Sequence, residues 1–380
     1  MSLGLAALVA ALACGVGGRR PAGDTGVRFA AGKGPGSLAL ADLNGDGRLD
    51  LVVANDESDD VTVRLGDGNG GFAAAPGSPF PAGRSPNDIA IADFDADGKP
   101  DLAFPNHETS HVTVLLGDGR GNFRPAGGSP VRVQSRPHPH GIVAADFNGD
   151  GHVDLAVESW ANDQVEVIFG AGGGRFRTPG HLFGVGHMPY QKLRAGDVNG
   201  DGAPDIVTTN FEGGNVTVLL GDGKGDFREP PGSPFPAGEA PFSLALADVD
   251  RDGHLDLVIS NFSGRGGDTS HDAVHVLLGD GRGGFRPMKG SPFGTGANPI
   301  RVAAGDVNGD GWPDIVTADM RGGDVTILLG DGQGSFRPGV RRAAGKEPYG
   351  VAAEDVDGDG RAEIFVANHG SSDVKMIRFR

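Results

Sequence analysis

Residues 42–50 read Asp-Leu-Asn-Gly-Asp-Gly-Arg-Leu-Asp, and the same phrase returns six more times. The later copies are DFDADGKPD from Asp93, DFNGDGHVD from Asp146, DVNGDGAPD from Asp197, DVDRDGHLD from Asp248, DVNGDGWPD from Asp306 and DVDGDGRAE from Asp355. All fit D-x-[DN]-x-D-G-x-x-[DE]. Their starts lie 49 to 58 residues apart, and a period near 50 belongs to propellers and related repeat arrays.

Working outward, each block sits among short alternating runs. Residues 37–41 (SLALA) precede the first block, and residues 51–54 (LVVA) follow it directly. A third run reads VTVRL at 61–65 or VTVLL at 216–220. A fourth starts near the Phe of a GDGxGxF-type phrase, at Phe72, Phe123, Phe176, Phe227, Phe285 and Phe336. Small and β-branched residues alternating between Gly-rich turns signal strands, and no window keeps a helical period. Four strands repeated seven times predict an all-β fold, a seven-bladed β-propeller of four-stranded blades.

The two ends fit a closed ring. The last repeat stops at Arg380 after its third strand, while residues 26–29 (GVRF) read as a fourth strand without the other three. The N-terminal strand is expected to complete the C-terminal blade, so that no sheet edge stays open. One propeller domain is expected over residues 24–380.

Composition narrows the function. Of 380 residues, 68 are Gly and 26 Pro, which suits many short elements joined by tight turns. The formal charge of −17 argues against a nucleic-acid partner, since phosphate contacts need a basic surface. A single cysteine excludes an intrachain disulfide framework and a Cys-rich zinc site. That cysteine, Cys14, ends the apolar run LGLAALVAALAC at residues 3–14. The run is too short for a transmembrane helix of roughly 20 residues. It fits the apolar core of an export signal over residues 1–23, although no basic side chain lies upstream. Ala13, Cys14 and Gly15 resemble a bacterial lipobox, which makes Cys14 a candidate lipid anchor. The expected location is exported: cell surface, periplasmic or secreted.

The acidic block carries chemistry. Oxygen donors alternate at positions one, three and five, and Gly at position six permits the sharp turn, as in the first half of an EF-hand loop. The final carboxylate comes eight residues after the first and runs straight into a strand, so the block is a hairpin between strands one and two. Carboxylates converging on one point repel unless a cation sits among them. Hard oxygen donors favour calcium over magnesium. Asp, Asn and Gly are good turn formers, which would account for one copy but not for seven with fixed spacing. Seven divalent ions would cancel most of the net charge.

The repeats resemble the FG-GAP/VCBS family, whose propeller also forms the head of integrin α subunits; the likeness covers residues 24–380. It implies calcium held by side chains at positions one, three, five and nine, with a backbone carbonyl at seven. On this chain the first such set is Asp42, Asn44, Asp46 and Asp50, with the carbonyl of Arg48. The next are Asp93, Asp95, Asp97 and Asp101; Asp146, Asn148, Asp150 and Asp154; and Asp197, Asn199, Asp201 and Asp205. The remainder are Asp248, Asp250, Asp252 and Asp256; Asp306, Asn308, Asp310 and Asp314; and Asp355, Asp357, Asp359 and Glu363. Up to seven Ca2+ ions follow. Glu363 departs from the usual Asp, which implies a distorted or weaker seventh site. After strand two this chain has Val53-Ala-Asn55 where integrin repeats carry Gly-Ala-Pro, which is similar to the bacterial VCBS branch.

Strand alternation puts two other loop sets on the opposite face. One carries a Pro before each inner strand (Pro35, Pro86, Pro139, Pro189, Pro241, Pro299 and Pro348), whose fixed φ presets the chain direction. Beside these prolines stand Gly36, Asn87, His140, Tyr190, Phe242, Ile300 and Tyr349. The strand two-to-three loops add His107, Trp160, Phe211, Phe262, Met320 and His369. Aromatics and histidines around a central depression form a recognition surface for a protein or carbohydrate partner, with capping of the blade ends as the plainer use. His107, His138 and His140 are weighed as a transition-metal site, with scattered surface histidines the expected reading. The longest two-to-three loop, residues 264–272, accounts for the longest repeat. The sequence therefore predicts an exported, calcium-binding, non-catalytic scaffold. The alternative is a calcium-dependent hydrolase or lyase on polysaccharide or phosphate esters. No Ser-His-Asp motif, no HExxH and no blade with a distinctive acid–base set speaks for it.

Overall fold

The computed structural model describes residues 26–134, 138–263, 269–332 and 334–379. The expected export segment with Cys14, and residues 264–268 of the long loop, lie outside them.

Seven antiparallel sheets form a ring. Blade one is built from Pro35–Ala41, Asp50–Asn55, Asp60–Gly66 and Phe72–Ala74, each paired with the next. First strands of successive blades touch one another, which places them at the inside of the ring. Second strands are buried along their whole length in all seven blades. Side-chain alternation explains why they read as continuous apolar runs. Val52 and Ala54 enter the core shared with Leu102 and Phe104 of blade two, whereas Leu51 and Val53 enter the core shared with Phe365 of blade seven. Each seam between blades holds one such core.

Closure is as expected. Val27–Ala30 pairs with Asp373–Ile377, from Val27 opposite Met376 to Ala30 opposite Asp373. Phe29 meets Phe72 edge-on at 5.2 Å, and Phe72 meets Phe365 at 5.5 Å, so the strand is packed into the seam as well as paired.

The fourth strands differ from expectation. In blades one, two, four and five the strand that starts at the Phe lasts only two or three residues. A second short piece then pairs with the same third strand: Phe80–Pro81, Val131–Arg132, Phe235–Pro236 and Phe293–Gly294. Between the pieces a serine hydroxyl substitutes for the missing ladder partner. Ser78, Ser129, Ser233 and Ser291 accept the N–H groups of Val63, Val114, Val218 and Val276. Blades three and six lack the Gly-Ser-Pro phrase; there Phe176 and Phe336 make isolated bridges, and the outer strand is His181–Gly184 or Val340–Ala343. No described helix is long and apolar enough to cross a membrane.

Candidate functional site

The acidic hairpins join strands one and two of every blade, and their geometry is built from their own backbone. Asp42 Oδ1 accepts the N–H groups of Gly45 (2.8 Å) and Asp46 (3.2 Å), and its Oδ2 accepts that of Gly47 (2.8 Å). Asn44 Oδ1 accepts the Asp46 N–H (3.0 Å), and Asp46 Oδ1 accepts that of Arg48 (3.0 Å). The bond from position six to position one recurs in the other six blades. Position six is Gly throughout because φ there runs from +80° to +91°. Position two is always apolar and buried, from Leu43 to Val356, and pins the loop to the core beneath it.

Position nine does something the sequence did not disclose. Asp50 Oδ2 accepts the N–H of Leu43 (2.9 Å), while its Oδ1 accepts that of Gly66 (2.8 Å) at the end of the third strand. Asp101, Asp154, Asp205, Asp256 and Asp314 repeat both bonds. This carboxylate is therefore a staple between the acidic loop and the next turn. Burial pushes these five up to about 6, against their two backbone donors, and neighbouring carboxylates add to the rise.

Positions one, three and nine bring carboxylate oxygens within 4.8 Å of one another in blades two (Asp93, Asp95, Asp101) and five (Asp248, Asp250, Asp256). Position five is turned outward in blades one and two, where Asp46 and Asp97 pair with Arg48 and Lys99. The donor set is all oxygen, crowded with like charge and partly buried, and so it fits a hard divalent cation. Blade seven is different: Asp355, Asp357 and Asp359 converge there, but Arg378 reaches Asp357 and Glu363.

On the opposite face most of the expected residues come together. Ring contacts run without a break from His107 through His140 (4.4 Å), Tyr190 (4.4 Å) and Phe242 (5.3 Å) to Phe262 (5.6 Å). His138, Trp160 and Phe211 flank this arc. Tyr349 and His369 form a separate pair at 5.8 Å. Most of these rings are half-buried, with Phe242 and His140 deeper. The three histidines do not bring one ring nitrogen each within 4.8 Å of the others, so no metal-ligating group is formed there among the described residues. Burial lowers His107 to about 4 and His140 well below its ordinary value, which leaves both rings neutral at pH 7.

A backbone device missed in the sequence presents this arc. The residue before each Pro has positive φ: Gly34, Ser85, His138, Met188, Ala240, Asn298 and Glu347. In six blades its carbonyl accepts the N–H of the first loop residue after strand two: Asp56, His107, Phe211, Phe262, Met320 and His369. Five non-Gly residues held in this sparsely populated region, all but His138, thereby tie the two loop sets together.

Beneath the arc lies a charged cluster, and it corrects the expectation that no blade is distinctive. Five residues before the first acidic ligand, most inner strands carry Ser or Gly, but three carry Asp88, Lys192 and Arg301, all buried. Lys192 is ion-paired with Asp88, which also accepts from Ser37 Oγ (3.2 Å) and the Ile142 N–H (3.3 Å). Burial pushes the Asp88 carboxyl up, but the Lys192, Arg301 and Arg194 charges outweigh it and hold it below its usual range. Glu158, fully buried, accepts from Thr208 Oγ1 (2.9 Å) and the Gly141 N–H (3.0 Å), and burial raises it to about 7. The Arg301 guanidinium stands over the Tyr349 ring at 5.6 Å. The available signal was the departure from small residues at one repeat position.

The FG-GAP-like repeat, as a family model, matches residues 42–104, 105–157, 197–259, 262–317 and 306–366. No curated protein matches the sequence. Among solved structures the chain is similar to BBS1N, crystallised in complex with ARL6DN, at 13% identity over 93% of this chain and 97% of that one, with a TM-score of 0.60. It is also similar to an Agrocybe aegerita lectin that specifically recognises non-reducing terminal N-acetylglucosamine (21% identity, 81% and 80% covered, TM-score 0.51). Virginiamycin B lyase from Staphylococcus aureus is a third (13% identity, 94% and 99% covered, TM-score 0.59). At these identities the likeness is one of fold.

Proposed function

The chain belongs to the FG-GAP-like repeat family, and from that premise we propose that it is an exported, calcium-stabilised propeller that binds a partner and catalyses nothing. The observation that carries this reading is the unbroken aromatic arc from His107 to Phe262. Half-buried rings offer apolar area at low entropic cost, which suits a protein side chain or the apolar face of a sugar. That similar folds include a protein-bound BBS1N and a glycan-recognising lectin supports a partner of either kind. Calcium, when bound, supplies fixed positive charge to the hairpins and stabilises the folded ring by mass action. The chain's own part is to hold the donors: position one curls the loop, and position nine staples it to the next turn.

Screening against protein and glycan arrays tests the reading. Saturable binding is expected, weakened at least tenfold by Trp160→Ala or Phe211→Ala; undiminished binding by both variants would remove the arc from the account. Chelation should lower the melting temperature, and an unchanged melt would sink the calcium claim.

One observation favours a second reading, catalysis. Glu158, poised near neutrality close to the Asp88–Lys192 pair, has the properties of a general acid or base. Turnover of a polysaccharide or phosphate ester that disappears in Glu158→Gln would establish that reading over the first.

A further inference from the structure

The acidic loop of blade seven departs from the other six at both of its partners. Position nine is Glu363, and the third strand, Asp373–Ile377, runs into Arg378 where the other blades carry Leu or Phe, with Phe379 in place of the Gly that follows. Arg378 Nε donates to Glu363 Oε1 (3.0 Å), and its Nη2 donates to Asp357 Oδ2 (2.7 Å). The same Nη2 reaches the Asn69 carbonyl of blade one (3.3 Å), across the seam where the ring closes. Glu363 still accepts the Val356 N–H through Oε2 (3.1 Å), so it keeps half of the staple made by its counterparts. The extra methylene lets its other oxygen face the guanidinium. The blade-one turn leaves room for this: a Cβ on Gly70 would stand 2.6 Å from Arg378 Nη2. Among the described residues no basic side chain pairs with position nine in the other six blades.

We infer that the Arg378 guanidinium takes the place of the divalent cation in blade seven, so that the chain holds six cation sites and one internal lock at its seam. A guanidinium is always charged, and its planar donor fork matches two carboxylates at once. Asp355, Asp357 and Asp359 still bring oxygens within 4.8 Å of one another. With Asp357 Oδ2 and Glu363 Oε1 committed, however, the loop falls short of the 6–8 oxygens that calcium takes, and an entering ion would face a fixed positive charge. Removing metal would then loosen six hairpins while leaving the junction of the two chain ends shut. The inference rests on the proposed calcium binding.

A calcium titration of the full chain followed by native mass spectrometry decides it. Six ions per chain are expected. Seven would overturn the inference while leaving calcium binding intact, whereas none would overturn calcium binding and the inference with it. A second measurement reads the lock directly, as amide exchange of residues 27–30 in excess chelator. These amides should stay protected in the wild type and exchange at least tenfold faster in Arg378→Gln. Equal protection in the two proteins would overturn the lock.

Discussion

Asp319 stands where five of the other six blades hold Asn, as the last residue of strand two. It is fully buried and accepts from Thr317 Oγ1 (2.8 Å) and Thr326 Oγ1 (2.6 Å). Burial raises its carboxyl to about 7, and the two hydroxyl donors only partly oppose that rise. Because the folded value lies above the unfolded one, its contribution to stability is full below about pH 4 and is lost as pH climbs through 7. Asp319→Asn removes the titration and restores the amide of the other blades. Between pH 5 and 8 the wild type should lose roughly 2 kcal/mol relative to this variant. Urea denaturation at each pH measures it, and parallel stability curves would show that Asp319 is ordinary. The acidic loop shows the same residue-level selectivity: position four accepts Ala96 at φ +63° and Arg251 at φ +56°, whereas position six, at higher φ, is always Gly.

At the scale of the element, the acidic hairpin and the third-to-fourth turn behave as one unit because position nine bonds to both. Asp154 accepts from the N–H groups of Phe147 (2.9 Å) and Gly170 (2.7 Å). Asp154→Asn would keep one acceptor and aim an amide N–H at a backbone donor. A loss of about 2 kcal/mol is expected from the buried donor left unmet. The decisive condition is chelator: a staple costs as much there as in calcium, while a pure metal ligand would cost nothing. The hairpin was legible in the sequence because its ligands and its turn glycine lie within nine residues. The broken outer strand was not, because alternation says nothing of a serine hydroxyl that replaces a ladder bond from fifteen residues away.

For the whole molecule, stability is shared among seams, and one seam depends on the chain ends. Val27–Ala30 covers the edge of Asp373–Ile377 and packs Phe29 against Phe72. Deleting residues up to Ala30 would bare that edge and part of the core beneath it. The truncated protein should self-associate, as exposed strand edges do. Light scattering checks this, and a monomer with wild-type stability would show that the ring does not need its closing strand.

The sequence alone determined the number of blades, the first three strands of each, the closing strand and the seven acidic loops. Each is written locally, in a period, an alternation or a nine-residue phrase, and repetition multiplies a weak signal. Only the tertiary structure decided what the ring brings together. Asp88 and Lys192 are 104 residues apart and meet because successive blades bring their inner strands to one axis. Glu158 joins them from a second strand, and Arg378 enters an acidic loop that its own strand happens to reach. Such pairings depend on where the ring places each strand, and no local pattern encodes that placement.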